Sequence, residues 1–152
     1  MRSRVASLLI LIGVVTSFVS CAIGDRDLTG RTASVAAIGR PVQLHRPATL
    51  IDLGGSFSLP RYLLSDSSHG AVVERLQPGH TLVVDRVRLK VIFDVEPFVA
   101  AVGHMYSPSF GHDVEFYYDW GGVTRDGRVY VRRAAWEPLS TPKLRDLPSE
   151  QP

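Results

Sequence analysis

Hydrophobic and polar residues alternate with a period of two in several segments of this chain, the spacing of half-buried β-strands. Val42, Leu44 and Arg46 alternate with Gln43 and His45, and Pro41 and Pro47 bracket them, which predicts a short edge strand. Residues 71–76 and 81–94 predict a hairpin around Gln77-Pro78-Gly79-His80. Pro fixes φ at the second position of a type II turn, and Gly accepts the positive φ at the third. In the longer strand Val83, Asp85, Val87, Leu89, Val91 and Phe93 make an almost wholly apolar set, which assigns them to the core. Val84, Arg86, Arg88, Lys90 and Ile92 fall on the opposite face. A second hairpin joins 114–120 to 129–136 through Thr124-Arg125-Asp126-Gly127, where Asp-Gly is a strong turn signal. Val114, Phe116, Tyr118 and Trp120 share a face, and Val129 and Val131 oppose Tyr130 and Arg132.

One segment breaks the period. In 96–105, Pro97 suits the first position of a helix, and Phe98, Ala101, Val102 and Met105 recur at helical spacing. This predicts a short helix. Residues 35–38 form a short apolar run, and Gly54-Gly55 and Pro60 interrupt 50–64. The stretch 65–70 reads as a loop. The expected fold is all-β: a small barrel or sandwich of about six short strands with at most one short helix.

The length of 152 residues suits one domain and excludes a barrel of eight βα units. Residues 1–20 read as an export signal and 21–34, polar and Gly-rich, as a flexible tether. The folded domain is expected over 35–136. Residues 137–152, with Pro138, Pro142, Pro148 and Pro152, read as a disordered tail or an extended packing strap. The net charge of +2 comes from 17 Lys and Arg against 15 Asp and Glu. Two of those cations, Arg2 and Arg4, lie in the export signal, so the mature part is formally neutral. It lacks the basic surplus that nucleic-acid binding requires, and no nucleic-acid partner is expected.

The N-terminus carries the strongest signal. Arg2 and Arg4 form a positive leader, and residues 8–19 an apolar run too short for a membrane span. Phe18-Val19-Ser20-Cys21 follows, and Cys21 is the single cysteine of the chain. This arrangement resembles the lipobox of bacterial lipoproteins, with Phe18 where that family usually carries Leu. The resemblance implies lipid attachment to the Cys21 thiol as a diacylglyceryl thioether. It also implies cleavage after Ser20 and a third acyl chain (palmitate-like) on the freed amine. With Ala22 next, it implies sorting to an outer membrane, facing the periplasm. A second resemblance covers only GAVVERLQPGHTLVVDRV, residues 70–87. It is similar to the middle of bacterial SH3-type barrels and favours an SH3-like barrel over a sandwich.

Catalytic signatures are sparse. The sequence contains no HExxH, GxSxG or SxxK. Glu115 and Asp119 share a strand face about 13 Å apart, too far for glycoside cleavage. His104, His112 and Asp113 flank a Pro/Gly loop and could supply three metal ligands. Aromatic residues gather in 106–136, where strands favour them in the core. Phe116, Tyr118, Trp120 and Trp136 are expected inside. Tyr106, Tyr117, Tyr130 and Arg132 are the candidate partner-binding residues. The expectation is a lipid-anchored, non-enzymatic binding or assembly module without cofactor. Its partner would be an envelope protein, a peptide or cell-wall glycan. The alternative is a small envelope metal-binding protein or enzyme using His104, His112 and Asp113.

Overall fold

A computed structural model describes residues 24–32, 37–55, 59–67, 69–92 and 95–148. The segment 1–20 expected to be an export signal and Cys21 lie outside the described residues, as do Val35, Phe93 and the last four positions. Ten strands form one sheet: β1 Gly24–Asp27, β2 Pro41–Gln43, β3 Ala48–Asp52, β4 Tyr62–Ser65, β5 Val72–Leu76, β6 Thr81–Ile92, β7 Val95–Ser107, β8 His112–Val123, β9 Val129–Arg132 and β10 Leu144–Asp146. The described helix is a single turn, α1 Thr29–Thr32, whose Thr29 N–H donates to the Asp27 carboxylate at 2.8 Å. The fold is therefore all-β, as the period of two implies. Its strands form one sheet rather than the two of a sandwich.

Three long antiparallel strands, β6, β7 and β8, carry the architecture. The path across the sheet runs β1-β6-β7-β8-β4-β3-β5. The outer edge of β6 is shared: β2 pairs with Thr81–Val83 and β1 with Arg88–Val91. The far edge of β8 is shared in the same way. There β4 runs parallel to residues 116–118, while β9 pairs with 121–123 and carries β10 on its other side. One core takes residues from nearly every strand, among them Leu50, Leu64, Leu76, Val87, Phe116 and Val131. A single sheet can enclose one core only by curling around it. Tyr118 packs edge-on to Trp136 with centroids 4.9 Å apart, and Trp120 lies 6.0 Å from Trp136. Phe116, Tyr118, Trp120 and Trp136 are all buried, as expected.

Several elements differ from their sequence reading. Residues 96–105 are strand, not helix. Residues 99–103 are all buried, because β7 is the central strand between β6 and β8. Its inner side chains Val99, Ala101 and Met105 enter the core. The small Ala100 and Val102 sit on the outer face between Arg86 and Arg88 on β6 and Tyr117 and Asp119 on β8. A run buried on both faces loses the period of two and satisfies a helical template by coincidence. The Pro78-Gly79 turn is present, with Gly79 at φ 91° and the His80 N–H bonded to the Gln77 carbonyl. It joins strands that do not pair with each other, for β5 pairs with β3 and β6 with β7. In β6 the register shifts between Val84 and Arg86. This bulge turns Leu82 and Val84 inward, and beyond it Val87 and Leu89 point inward as expected, whereas Val91, expected in the core, lies at a second register shift between Lys90 and Ile92 and is 37% exposed.

Both ends of the expected domain extend further than composition suggests. Part of the expected tether is structured: β1 and α1 dock on β6, and Leu28 is fully buried, its N–H donating to the Val87 carbonyl. The expected tail is a strap as far as Pro148. Its β10 pairs with β9, Leu147 is buried, and Arg31 reaches the Pro148 carbonyl at 2.8 Å.

Candidate functional site

The sheet forks along β8. Up to Tyr118 its neighbour is β4, and from Gly121 it is β9. Asp119 and Trp120 lie between. Trp120 is the extra residue of a bulge, since Val99 pairs with Gly121 and Ala100 with Asp119. The Trp120 ring fills the core beneath the fork. On the outer face the two flanking strands diverge and leave a cleft.

The larger part of the cleft encloses about 460 Å³ between Tyr117, Tyr130, Arg132, Phe98, Leu63 and the Val95–Pro97 segment. Its floor is Gly121 and Gly122. A Cβ on Gly121 would lie 2.0 Å from the Tyr130 carbonyl oxygen, so only glycine lets β9 approach β8 there. A Cβ on Gly122 would lie 3.0 Å from the Tyr130 hydroxyl, so the tyrosine side chain lies across the bare backbone. A smaller depression of about 300 Å³ continues past Leu63, Asp119 and Arg132 to Ser65, Asp66 and Ser67.

Two ion pairs lie in and behind the cleft. Arg132 Nη2 donates to Asp119 Oδ1 at 2.9 Å, with both side chains about half exposed (51% and 52%). Arg46 Nη1 lies 3.2 Å from Asp66 Oδ2, and the Tyr118 hydroxyl donates to Asp66 Oδ1 at 3.0 Å. Burial, then the negative charge of Asp66, pushes the Tyr118 phenol well above its ordinary pKa. Burial and the charge of Asp119 push the Tyr117 phenol up as well. Both phenols therefore stay neutral hydrogen-bonding groups over the physiological range.

Of the four partner-binding candidates, Tyr117, Tyr130 and Arg132 meet in this cleft. Tyr106 does not. It is 53% exposed, and lies about 13 Å further along β7 from Val102, the cross-strand neighbour of Tyr117. The alternative set is not gathered. His104 pairs across the ladder with Glu115 and shares its face, whereas His112 differs from Glu115 by an odd number of residues and points to the other face. His104 Nδ1 binds Asp85 at 2.8 Å, and His112 Nδ1 bonds the Asp113 carbonyl at 2.7 Å. Among the described residues, no three His, Cys, Asp or Glu side chains are placed to hold a metal ion.

Sequence reasoning missed Phe98, Leu63, Asp119 and the glycine pair as cleft residues. Phe98 was hidden by the helical reading of its segment. Leu63 enters through the parallel β4–β8 ladder, a long-range pairing with no local signature. Gly121-Gly122 interrupts an otherwise bulky strand, and such glycines mark a bulge or a close backbone approach. That signal was available. No family model matches the chain, and neither a curated protein nor a solved structure matches it.

Proposed function

We propose that this chain is a lipoprotein of the bacterial cell envelope, a non-enzymatic binding or assembly module whose partner docks in the cleft at the sheet fork. The anchor is read from Arg2, Arg4, the apolar run 8–19 and Val19-Ser20-Cys21. Two or three acyl chains on Cys21, at about 0.8 kcal/mol per buried CH₂, hold a small domain stably at a membrane. Sorting to the outer membrane, facing the periplasm, follows from the same resemblance.

The observation that carries the binding role is the convergence of Tyr117, Tyr130 and Arg132 on one glycine-floored cleft. Tyrosine and arginine dominate the energy of recognition surfaces, because each offers large contact area with a polar tip. Asp119 and Arg132 are committed to each other rather than poised to transfer a proton.

The test is a photo-crosslinking amino acid placed at Tyr130, and separately at Tyr106, in the producing cells. The proposal expects a discrete adduct from position 130 and none from position 106. Equal labelling at both positions, or none at 130 in folded protein, contradicts it.

A further inference from the structure

We propose that the cleft binds an uncharged oligosaccharide of at least two sugar units. One ring stacks in the larger depression, and the next hydrogen-bonds in the smaller. The proposal rests on the cleft being the binding site, and is independent of the lipid anchor.

Charge narrows the ligand first. Among the described residues, the one cation lining the cleft, Arg132, is bound to Asp119 at 2.9 Å, and Arg46 behind it is bound to Asp66 at 3.2 Å. Glu96 at the far rim adds a further carboxylate. An anionic ligand would find its charge unmatched and its approach opposed. A neutral ligand meets no such opposition.

The lining narrows it further. A sugar ring has one face of C–H groups and a rim of hydroxyls, each of which can donate and accept. Aromatic faces carry negative charge density and attract the positive hydrogens of such a ring face. Phe98, Tyr117 and Tyr130 supply the rings, and the bare Gly122 backbone leaves room beside Tyr130. A carboxylate and a guanidinium side by side, Asp119 and Arg132, present acceptors and donors to neighbouring hydroxyls.

Length comes from continuity. The two depressions share Leu63, Asp119 and Arg132, so the ion pair sits between them. Ser65, Asp66 and Ser67 line the second with hydroxyls and a carboxylate. Each volume is at the small end of ligand sites, and together they suit an elongated ligand. An extended peptide fits less well, because peptides gain affinity by pairing with an open strand edge. Here β4 is paired on both sides by β3 and β8, and β9 by β8 and β10.

The experiment is calorimetric titration of the purified full chain in detergent, with five probes. These are tetra-N-acetylchitotetraose, cellotetraose, the corresponding monosaccharides, and a tetragalacturonate as the anionic control. At least one neutral tetrasaccharide should bind saturably, about tenfold more tightly than its monosaccharide. Tyr117→Ala and Arg132→Gln should each weaken it by about tenfold, or ~1.4 kcal/mol, and Tyr106→Ala should leave it unchanged. Arg132 is on the exposed rim, so its variant keeps the test valid if Tyr117→Ala fails to fold. Three results overturn the proposal: no neutral tetrasaccharide binding at millimolar concentration, tighter binding of the galacturonate, or affinity indifferent to Arg132→Gln. If the sugars fail while position 130 crosslinks to a protein, the cleft stands as a binding site and its ligand is a protein. If both fail, the cleft itself is not the site.

Discussion

A methyl group at Gly121 would lie 2.0 Å from the Tyr130 carbonyl oxygen, and one at Gly103 2.0 Å from the Val83 carbonyl oxygen. Both obstacles are backbone atoms of a paired strand, which cannot move without breaking a ladder. Gly121→Ala and Gly103→Ala should each cost about 3 kcal/mol or more, as overpacking against rigid neighbours does. Gly122 differs, because its added carbon would first meet the far end of the Tyr130 side chain at 3.0 Å, with the Pro97 carbonyl oxygen less crowded at 3.3 Å. Gly122→Ala should cost within about 1 kcal/mol of stability but displace the Tyr130 ring and reduce crosslinking from the cleft. Urea denaturation of the three variants, with the crosslinking yield of the third, checks this. A large stability loss in Gly122→Ala would mean the glycine serves packing rather than the cleft. The alternation of Val114, Phe116, Tyr118 and Trp120 was legible because each buried side chain of β8 follows the pleat of one strand. The Lys90–Asp25 pair was not, since it depends on β1 docking on β6.

At the scale of elements, β1 is secured by an ion cluster. Lys90 is 1% exposed, and its Nζ donates to Asp25 Oδ2 at 2.8 Å, while Arg88 Nη1 reaches the same oxygen at 2.6 Å. Removing one member of a buried pair leaves a stranded charge, whereas replacing both members by apolar residues of similar size is often neutral. Asp25→Asn should therefore destabilise by about 3 kcal/mol, because it strands the buried Lys90 ammonium, and Lys90→Met by less, because Asp25 keeps Arg88 at 2.6 Å and part of its exposure. Burial raises the Asp25 pKa, but the hydrogen bonds and charges of Lys90 and Arg88 outweigh it and hold the group below 3.8. A depressed folded pKa means that its contribution is complete above pH 3.8 and is lost as pH falls through the folded value. The gap between wild type and Asp25→Asn should thus narrow below about pH 4. A gap that widened in acid would contradict the assignment. Strands β2, β5, β6, β8 and β9 were legible from alternation and turn residues, whereas β1, β7 and β10 were not. The pairing of strands was less legible. Pro78-Gly79 marks a real turn, but β3 lies against β5 and takes the place β6 would have in a hairpin. Segments 24–32 and 144–148 read as polar ends because their few apolar anchors, Leu28 and Leu147, are spaced among charges.

At the scale of the whole molecule, the fork positions the chemistry. Short strands β4 and β9 share one edge of β8, and their divergence opens the cleft on the outer face while Trp120 seals the core beneath. Gly24 pairs with Val91, so β1 joins the sheet at the end of β6 where Ile92 pairs with Val95 of the cleft rim. Gly24 is three residues on from Cys21, a reach of at most about 10 Å. On the proposed reading, the cleft therefore lies at the membrane-proximal end of the domain. The β7–β8 tip with Tyr106 and Phe110 lies at the other end, about 30 Å along β7 from Phe98. Such placement suits a partner or glycan held close to the envelope surface. The most direct measurement is the intact mass of protein extracted from membranes of the producing cells, beside a Cys21→Ala variant. The account predicts a species beginning at Cys21 and heavier by two or three acyl chains, absent in the variant. A bare chain in the membrane fraction, cleaved or uncleaved, would contradict it.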